Sequence, residues 1–272
     1  MSFMDTRPVV FLDSGIGGFP YCANFHSRNQ DESLIYIADR VNFPYGIKNK
    51  HEIQQILLNL VERLIKKTDP KLAVLACNTA TVSALDVLRE NFVSLPFVGT
   101  VPAIKPAVHA SKTKIIGLLG TDQTVNDAYI TELANNSGPC TIHKIAAPLL
   151  VEFVEKRLDA ATLSEKTAAV RRYLDELRAL RADALVLGCT HFLYLADEFR
   201  REALPDIQVF DSFEGVTRRI EQVLDEEDGK LRSIPGYSAD KLVLLTGTET
   251  PDSAWLKRTV DKGFKLSLLE DL

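Results

Sequence analysis

Two cysteines in matching settings carry the chemistry of this chain. Leu72-Ala-Val-Leu-Ala-Cys77-Asn78-Thr79 and Ala184-Leu-Val-Leu-Gly-Cys189-Thr190-His191 each put a thiol at the end of a short apolar run, followed at once by small polar residues. Such a run reads as a buried strand. A helical pattern resumes after each thiol, so each sits where a strand ends and a helix begins. Open α/β sheets bind ligands at that position. A helix amino end also favours an anion, including a thiolate. One such cysteine suggests a nucleophile. Two of them, 112 residues apart, suggest a pair acting on one small substrate.

The chemistry that suits such a pair is proton transfer at carbon. A free thiol has a pKa of about 8.5, close enough to neutrality to change form. A single base tends to return a proton to the face it came from, whereas two bases on opposite faces invert a centre. Asp13 ends a first strand beside the Cys77 strand, and His191 lies two residues beyond Cys189, so each can exchange a proton with its own thiol. The negative charge that develops needs donors. Backbone N–H groups at helix starts, with Asn78, Thr79, Thr121, Thr124 and Thr190, are candidates.

Whole-chain properties narrow the class. The 272 residues carry 25% charged and 46% hydrophobic side chains, ordinary globular usage. A net charge of −5 gives no basic surface for nucleic acid. The first eight residues lack the apolar core of a signal peptide, and no apolar run approaches the ~20 residues of a membrane span. None of the four cysteines is in CxxC spacing, which fits reduced thiols in the cytoplasm. Zinc sites favour CxxC or HxxxH spacing, so no metal is expected. Asp13-Ser-Gly-Ile-Gly-Gly18 lacks both the GxGxxG and the GxxxxGK[ST] spacing, so no nucleotide is expected either.

The strands and helices that carry these groups can be read along the chain. Val9–Leu12 and Leu34–Ile37 read as strands, the second ending at Asp39. Ile53, Ile56, Leu57, Leu60, Val61, Leu64 and Ile65 mark one helix face. Leu72–Ala76 is a strand and Thr79–Asn91 a helix, so the order is β-α-β-α and the sheet mostly parallel. The pattern restarts with a strand over 113–119, a helix over Asp122–Asn135, a strand near Thr141–Ile145, and helices over Leu149–Leu158 and Ser164–Arg181. Val9–Ser14 echoes Ile116–Thr121, and Leu72–Asn78 echoes Ala184–Thr190, at offsets of 107 and 112 residues. The echo implies two similar α/β lobes. Residues 1–100 with 210–272 form the first, which carries Asp13 and Cys77. Residues 101–209 form the second, which carries Glu152, Cys189 and His191. Late strands at Lys241–Leu245 and Phe264–Leu268 complete the first lobe.

Taken together, Asp13-Ser-Gly-Ile-Gly-Gly18, Pro44-Tyr45-Gly46, Ala76-Cys77-Asn78-Thr79-Ala80 and Gly188-Cys189-Thr190-His191 resemble the glutamate racemases of the aspartate/glutamate racemase family. The resemblance implies two α/β lobes, each a mostly parallel sheet flanked by helices, with the active site between them. It implies inversion of the glutamate α-carbon without any cofactor, supplying D-glutamate for peptidoglycan and so for cell shape. Cys77 would serve the D-enantiomer and Cys189 the L-enantiomer, with Asp13 and His191 as their acid/base partners. Asp39 and Glu152 match two further family carboxylates. Ser14, Pro44, Tyr45, Gly46, Asn78, Thr79, Thr121, Thr124 and Thr190 match substrate-contact positions, along with Asp13 and His191. The only partner implied is the small-molecule substrate, with no nucleic acid and no membrane. Family members often form dimers of varying arrangement, which leaves a homodimer open.

Some positions depart from the family pattern. Phe19-Pro20-Tyr21 follows the Gly-Gly pair where Leu-Thr or Leu-Ser is usual, and Pro20 is expected to shorten or shift the helix start there. Phe192-Leu193-Tyr194 replaces Tyr-Pro-Leu after the histidine, and Arg40 stands where Thr or Ser often follows the aspartate. Rival readings are an aspartate racemase, a related enzyme with one working cysteine, and a binding protein that has lost activity. An aspartate racemase would lack Pro44-Tyr45-Gly46 and usually carries Glu in place of His191.

Overall fold

The structure, a computed structural model, describes residues 5–229, 232–234, 236–251 and 253–271. The chain divides into two compact units, Met1–Thr100 with Phe213–Leu272, and Val101–Ser212. The second junction falls three residues later than the expected 209.

The first unit begins β1 (Val9–Asp13), α1 (Phe19–Arg28), β2 (Leu34–Ala38), α2 (Lys50–Thr68), β3 (Leu72–Leu75), α3 (Asn78–Asn91) and β4 (Phe97–Gly99). Every residue of β1, β2 and β3 is buried. Both faces of this sheet are covered, which is why these strands read as unbroken apolar runs rather than alternations. Helix α2 starts where the Asn49 side chain accepts the Glu52 N–H. It buries Ile53, Leu57, Leu60, Val61 and Leu64, worth ~1.5–3 kcal/mol each, and ends where Asp69 turns left-handed ahead of Pro70. Pro20 does not displace α1. It occupies the first turn, where no intrahelical N–H is needed.

The second unit contains α4 (Ile104–Ala110), β5 (Ile115–Gly120), α5 (Asp122–Asn126), α6 (Ala128–Asn135), β6 (Thr141–Ala146), α7 (Pro148–Lys156), α8 (Leu163–Ala179), β7 (Ala184–Leu187), α9 (Ala196–Ala203) and β8 (Gln208–Phe210). The helix expected over Asp122–Asn135 is two helices. Asp127 is extended between them, and its side chain caps the second through the Tyr129 N–H. The chain then returns to the first unit with α10 (Phe213–Gly229), β9 (Lys241–Leu245), α11 (Ser253–Val260) and β10 (Lys265–Leu268).

Among the described residues the strands form two sheets, ordered β10-β9-β2-β1-β3-β4 and β6-β5-β7-β8. Every pairing is parallel. In the first sheet the chain leaves β1 for β2 on one side and comes back to β3 on the other. In the second it does the same from β5 to β6 and back to β7. Each sheet therefore has a switch point, between β1 and β3 and between β5 and β7. The carboxyl ends of such strands are where open sheets bind ligands. Cys77 follows β3 and Cys189 follows β7. Among the described residues no helix is long and apolar enough to cross a membrane.

Candidate active site

The two cysteines occupy equivalent positions in their sheets. The residue before each thiol extends the switch-point pairing by one hydrogen bond: Ala76 N–H donates to Leu12 O at 2.8 Å, and Gly188 N–H to Leu119 O at 2.7 Å. Cys77 has φ −146° and ψ 121°, and Cys189 has φ −141° and ψ 135°. They are 7% and 6% exposed, buried but reachable. The segments after the two thiols differ. Cys77 stands at the N-cap position of the α-helix α3 without a side-chain cap bond, whereas Cys189 opens a 3-10 segment over Thr190–Leu195 in place of the expected α-helix.

In the first unit Asp13 closes β1, one position past the Leu12–Leu75 pair, so it stands beside the chain entering Cys77. Its Oδ1 accepts from the Gly15 N–H and the Ser14 hydroxyl, both at 3.3 Å. The glycine turn lets α1 come close. A β-carbon on Gly18 would lie 2.2 Å from Ala76 O and 2.9 Å from Asp13 Oδ2. The Tyr36 hydroxyl fixes the same turn by donating to Gly15 O at 2.7 Å. Asn78 and Thr79 open α3 in buried positions, with the Asn78 amide donating to Thr100 O at 3.2 Å.

The loop after β2 brings Asp39, Pro44, Tyr45 and Gly46 to the same end of the sheet. Asp39 caps nothing with its side chain. It accepts from the Tyr45 hydroxyl at 2.7 Å, the Asn42 amide at 2.9 Å and the Thr246 hydroxyl at 2.8 Å. Burial and the adjacent Asp39 carboxylate hold the Tyr45 phenol well above its usual range, so it remains a donor. Cys77 and Asp13 also act on that phenol, and Tyr45 packs in one apolar cluster with Cys77.

In the second unit the place of Asp13 is taken by a residue without a side chain. Asp13 O accepts from Asp39 N–H, and its counterpart Gly120 O accepts from Ala147 N–H. The ionisable side chain beside Cys189 comes from elsewhere in the unit. The tight turn after Cys189 returns the His191 ring to the thiol, with Nδ1 3.8 Å from Sγ. The other ring nitrogen, Nε2, lies 2.7 Å from Glu155 Oε1. Burial alone would depress the imidazole, but its bonds to Cys189 and Glu155 outweigh burial and raise it well above its usual value. Thr121 caps α5 and is joined to the buried Thr124 by hydrogen bonds of 3.2 Å from its N–H and 3.0 Å between hydroxyls. Thr190 is buried next to Cys189.

Glu152 does not join this group. Its side chain is 55% exposed and pairs with Lys156 one turn on, at 3.0 Å. Leu150, Val151, Phe153 and Val154 turn α7 toward the core, which leaves Glu152 nearly opposite and Glu155 at the border of the buried stripe. The α7 carboxylate that meets His191 is therefore Glu155, which borders the buried stripe of that helix.

The family model for Asp/Glu/hydantoin racemases matches residues 22–219. The chain belongs to that family. Among individual proteins, this racemase-family chain is 37% identical over 234 residues to the glutamate racemase of Sphingopyxis alaskensis, covering 85% of this chain and 87% of that one. It is 33% identical to the glutamate racemase of Bartonella tribocorum, covering 98% and 97%. Escherichia coli glutamate racemase, crystallised with L-glutamate and the activator UDP-MurNAc-Ala, superposes with a TM-score of 0.81 at 32% identity, covering 96% of this chain and 97% of that one.

Proposed function

We propose that this racemase-family chain interconverts L- and D-glutamate without a cofactor, by proton transfer between the α-carbon and two thiols. The observation that supports this best is the repeated one: a cysteine after the strand that flanks each switch point, each with an ionisable side chain, Asp13 or His191, from its own unit.

From L-glutamate, the Cys189 thiolate takes the α-proton. The Cα–H bond breaks, and its electron pair spreads from the α-carbon into the adjoining carboxylate. The Cys77 S–H then gives its proton to the opposite face, forming the new Cα–H bond and leaving a Cys77 thiolate. The reverse sequence converts the D-enantiomer. Asp13 and His191 return each thiol to its starting form, and Glu155 steadies the imidazolium when His191 holds the proton. The α-proton is far less acidic than a thiol, so the developing charge must be met by donors fixed in advance, here hydroxyls and N–H groups at Ser14, Asn78, Thr79, Thr121 and Thr190.

Glutamate is the favoured substrate because the Sphingopyxis alaskensis and Bartonella tribocorum relatives, 37% and 33% identical to this chain, are glutamate racemases. D-glutamate made this way would feed peptidoglycan synthesis in the cytoplasm. The test is racemisation by purified protein with a chelator and a thiol reductant and no pyridoxal phosphate. Glutamate is expected to be converted, and aspartate at least ~10²-fold less efficiently, because donors set for one carboxylate spacing stay unpaired when the chain is a methylene shorter. Activity that requires an added cofactor, or equal turnover of aspartate, contradicts the proposal.

A further inference from the structure

We infer that Thr246, beyond the end of tail strand β9, is a positioning residue of this site: its hydroxyl orients the Asp39 carboxylate and, through it, Tyr45. The inference rests on the racemase reading and extends it to a part of the chain outside the family match, which ends at residue 219.

The geometry is specific. Thr246 N–H donates to Ala38 O at 3.0 Å, carrying the β2–β9 pairing one step past the strand and bringing the side chain level with Asp39. The hydroxyl is used in both directions, donating to Asp39 Oδ1 at 2.8 Å and accepting from Val41 N–H at 3.1 Å. Tyr45 uses the other oxygen, Oδ2, at 2.7 Å. The Asn42 amide reaches both oxygens, at 3.1 and 2.9 Å, and so cannot by itself select one rotation of the carboxylate. Thr246 and Tyr45 each bond a single oxygen, Oδ1 and Oδ2 respectively, and so fix the carboxylate between them. Asp39 is 1% exposed and Thr246 6%, so bulk water is poorly placed to replace a lost donor.

The tail also braces the loop from outside. Gly247 has φ 89°, and a β-carbon there would lie 3.0 Å from Val41 Cγ2. The Arg40 guanidinium reaches the Glu249 carboxylate at 3.2 Å. Residues 246–249 thus meet residues 39–41 at four points, one of which is the buried carboxylate that Tyr45 depends on. Without the Thr246 hydroxyl, only Tyr45 and Asn42 hold the carboxylate, which is freer to rotate, and the Tyr45–Gly46 segment is less firmly anchored.

The experiment is steady-state racemisation of L- and D-glutamate by wild type, Thr246→Val and Thr246→Ser, with folding checked by circular dichroism and thermal melting. Thr246→Val keeps the shape and removes the hydroxyl. It is expected to raise KM by roughly 10- to 100-fold, the loss of one hydrogen bond to a buried charge, while kcat stays within about threefold. Thr246→Ser keeps the hydroxyl and is expected to restore KM to within about threefold of wild type. If Thr246→Val does not fold, Thr246→Ala takes its place in the same comparison. The inference is overturned if the hydroxyl-free variant has wild-type KM, or if Thr246→Ser is impaired as much as Thr246→Val, which would assign the effect to packing. Wild type that fails to racemise glutamate overturns the proposed function and this inference with it. Active wild type with an indifferent Thr246 overturns this inference alone.

Discussion

Glu155 Oε1 lies 2.7 Å from His191 Nε2, at the ring nitrogen opposite the one that faces Cys189. A carboxylate, an imidazole and a thiol therefore stand in line within the second unit. The first unit has a different arrangement for the same kind of thiol, with Asp13 on the neighbouring strand. The two units share a backbone plan and differ in the ionisable group placed beside the cysteine.

Glu155→Gln is expected to lower racemisation by roughly 10²-fold, because a neutral amide no longer steadies the imidazolium. Glu152→Gln is expected to stay within about twofold of wild type, since its partner is an exposed lysine one turn away. Initial rates by a coupled or polarimetric assay decide between them. Greater damage from Glu152→Gln would return that residue to the site.

The His191 ring is expected to titrate well above the ordinary histidine value of about 6.5. A raised folded-state value means that the cation is the form folding favours. The stabilisation is complete below the unfolded value and is lost as pH rises through the folded one. Ring resonances followed by NMR give the titration directly, and in Glu155→Gln the midpoint is expected to fall. Melting temperatures of wild type and Glu155→Gln are expected to differ most above the ordinary carboxylate range and below the ring's midpoint, and to converge as the ring loses its proton. A gap that widens as the ring loses its proton contradicts this assignment.

Gly18→Ala is expected to cost about 1–3 kcal/mol and to lower kcat/KM by at least ~10-fold, because the new methyl meets the Ala76 carbonyl just ahead of Cys77. Gly215→Ala is the control. Nothing lies within 4 Å of a β-carbon there, and a helical Gly→Ala change is expected to add about 0.5–1 kcal/mol with activity unchanged. Thermal melts and rates on both variants check the pair; a wild-type Gly18→Ala would mean that the turn can shift without disturbing the site.

Asp13→Asn and His191→Asn are expected to act on opposite half-reactions. The equilibrium constant between enantiomers is unity, so kcat/KM must fall equally in both directions, and the asymmetry must appear in isotope effects with α-deuterated substrate. Loss of Asp13 is expected to enlarge the effect from D-glutamate, and loss of His191 the effect from L-glutamate. Identical effects in both variants would break the pairing of Asp13 with Cys77 and His191 with Cys189.

Much of this architecture was legible in the residues because parallel strands buried on both faces leave unbroken apolar runs. Those at Val9–Leu12, Leu72–Ala76 and Ala184–Leu187 stand out, and each leads into a residue of the site. Three features were not legible. The turn after Cys189 is 3-10 rather than α, a choice that periodicity over six residues does not resolve. The break at Asp127 comes from a cap inside what reads as one helical stretch. Thr246 lies more than 200 residues from Asp39, and only the pairing of β9 with β2 brings them together. Glu155 is a different case: it borders the buried stripe of Leu150, Val151, Phe153 and Val154, whereas the motif resemblance implies Glu152.

The most direct measurement is the rate of racemisation after Cys77→Ser and Cys189→Ser, made one at a time. A serine hydroxyl is nearly the size of a thiol and a far weaker acid, so both proteins are expected to keep their fold by circular dichroism and to lose roughly 10³-fold or more in rate, in both directions. A single variant that folds normally and still racemises glutamate near the wild-type rate would contradict the two-thiol mechanism.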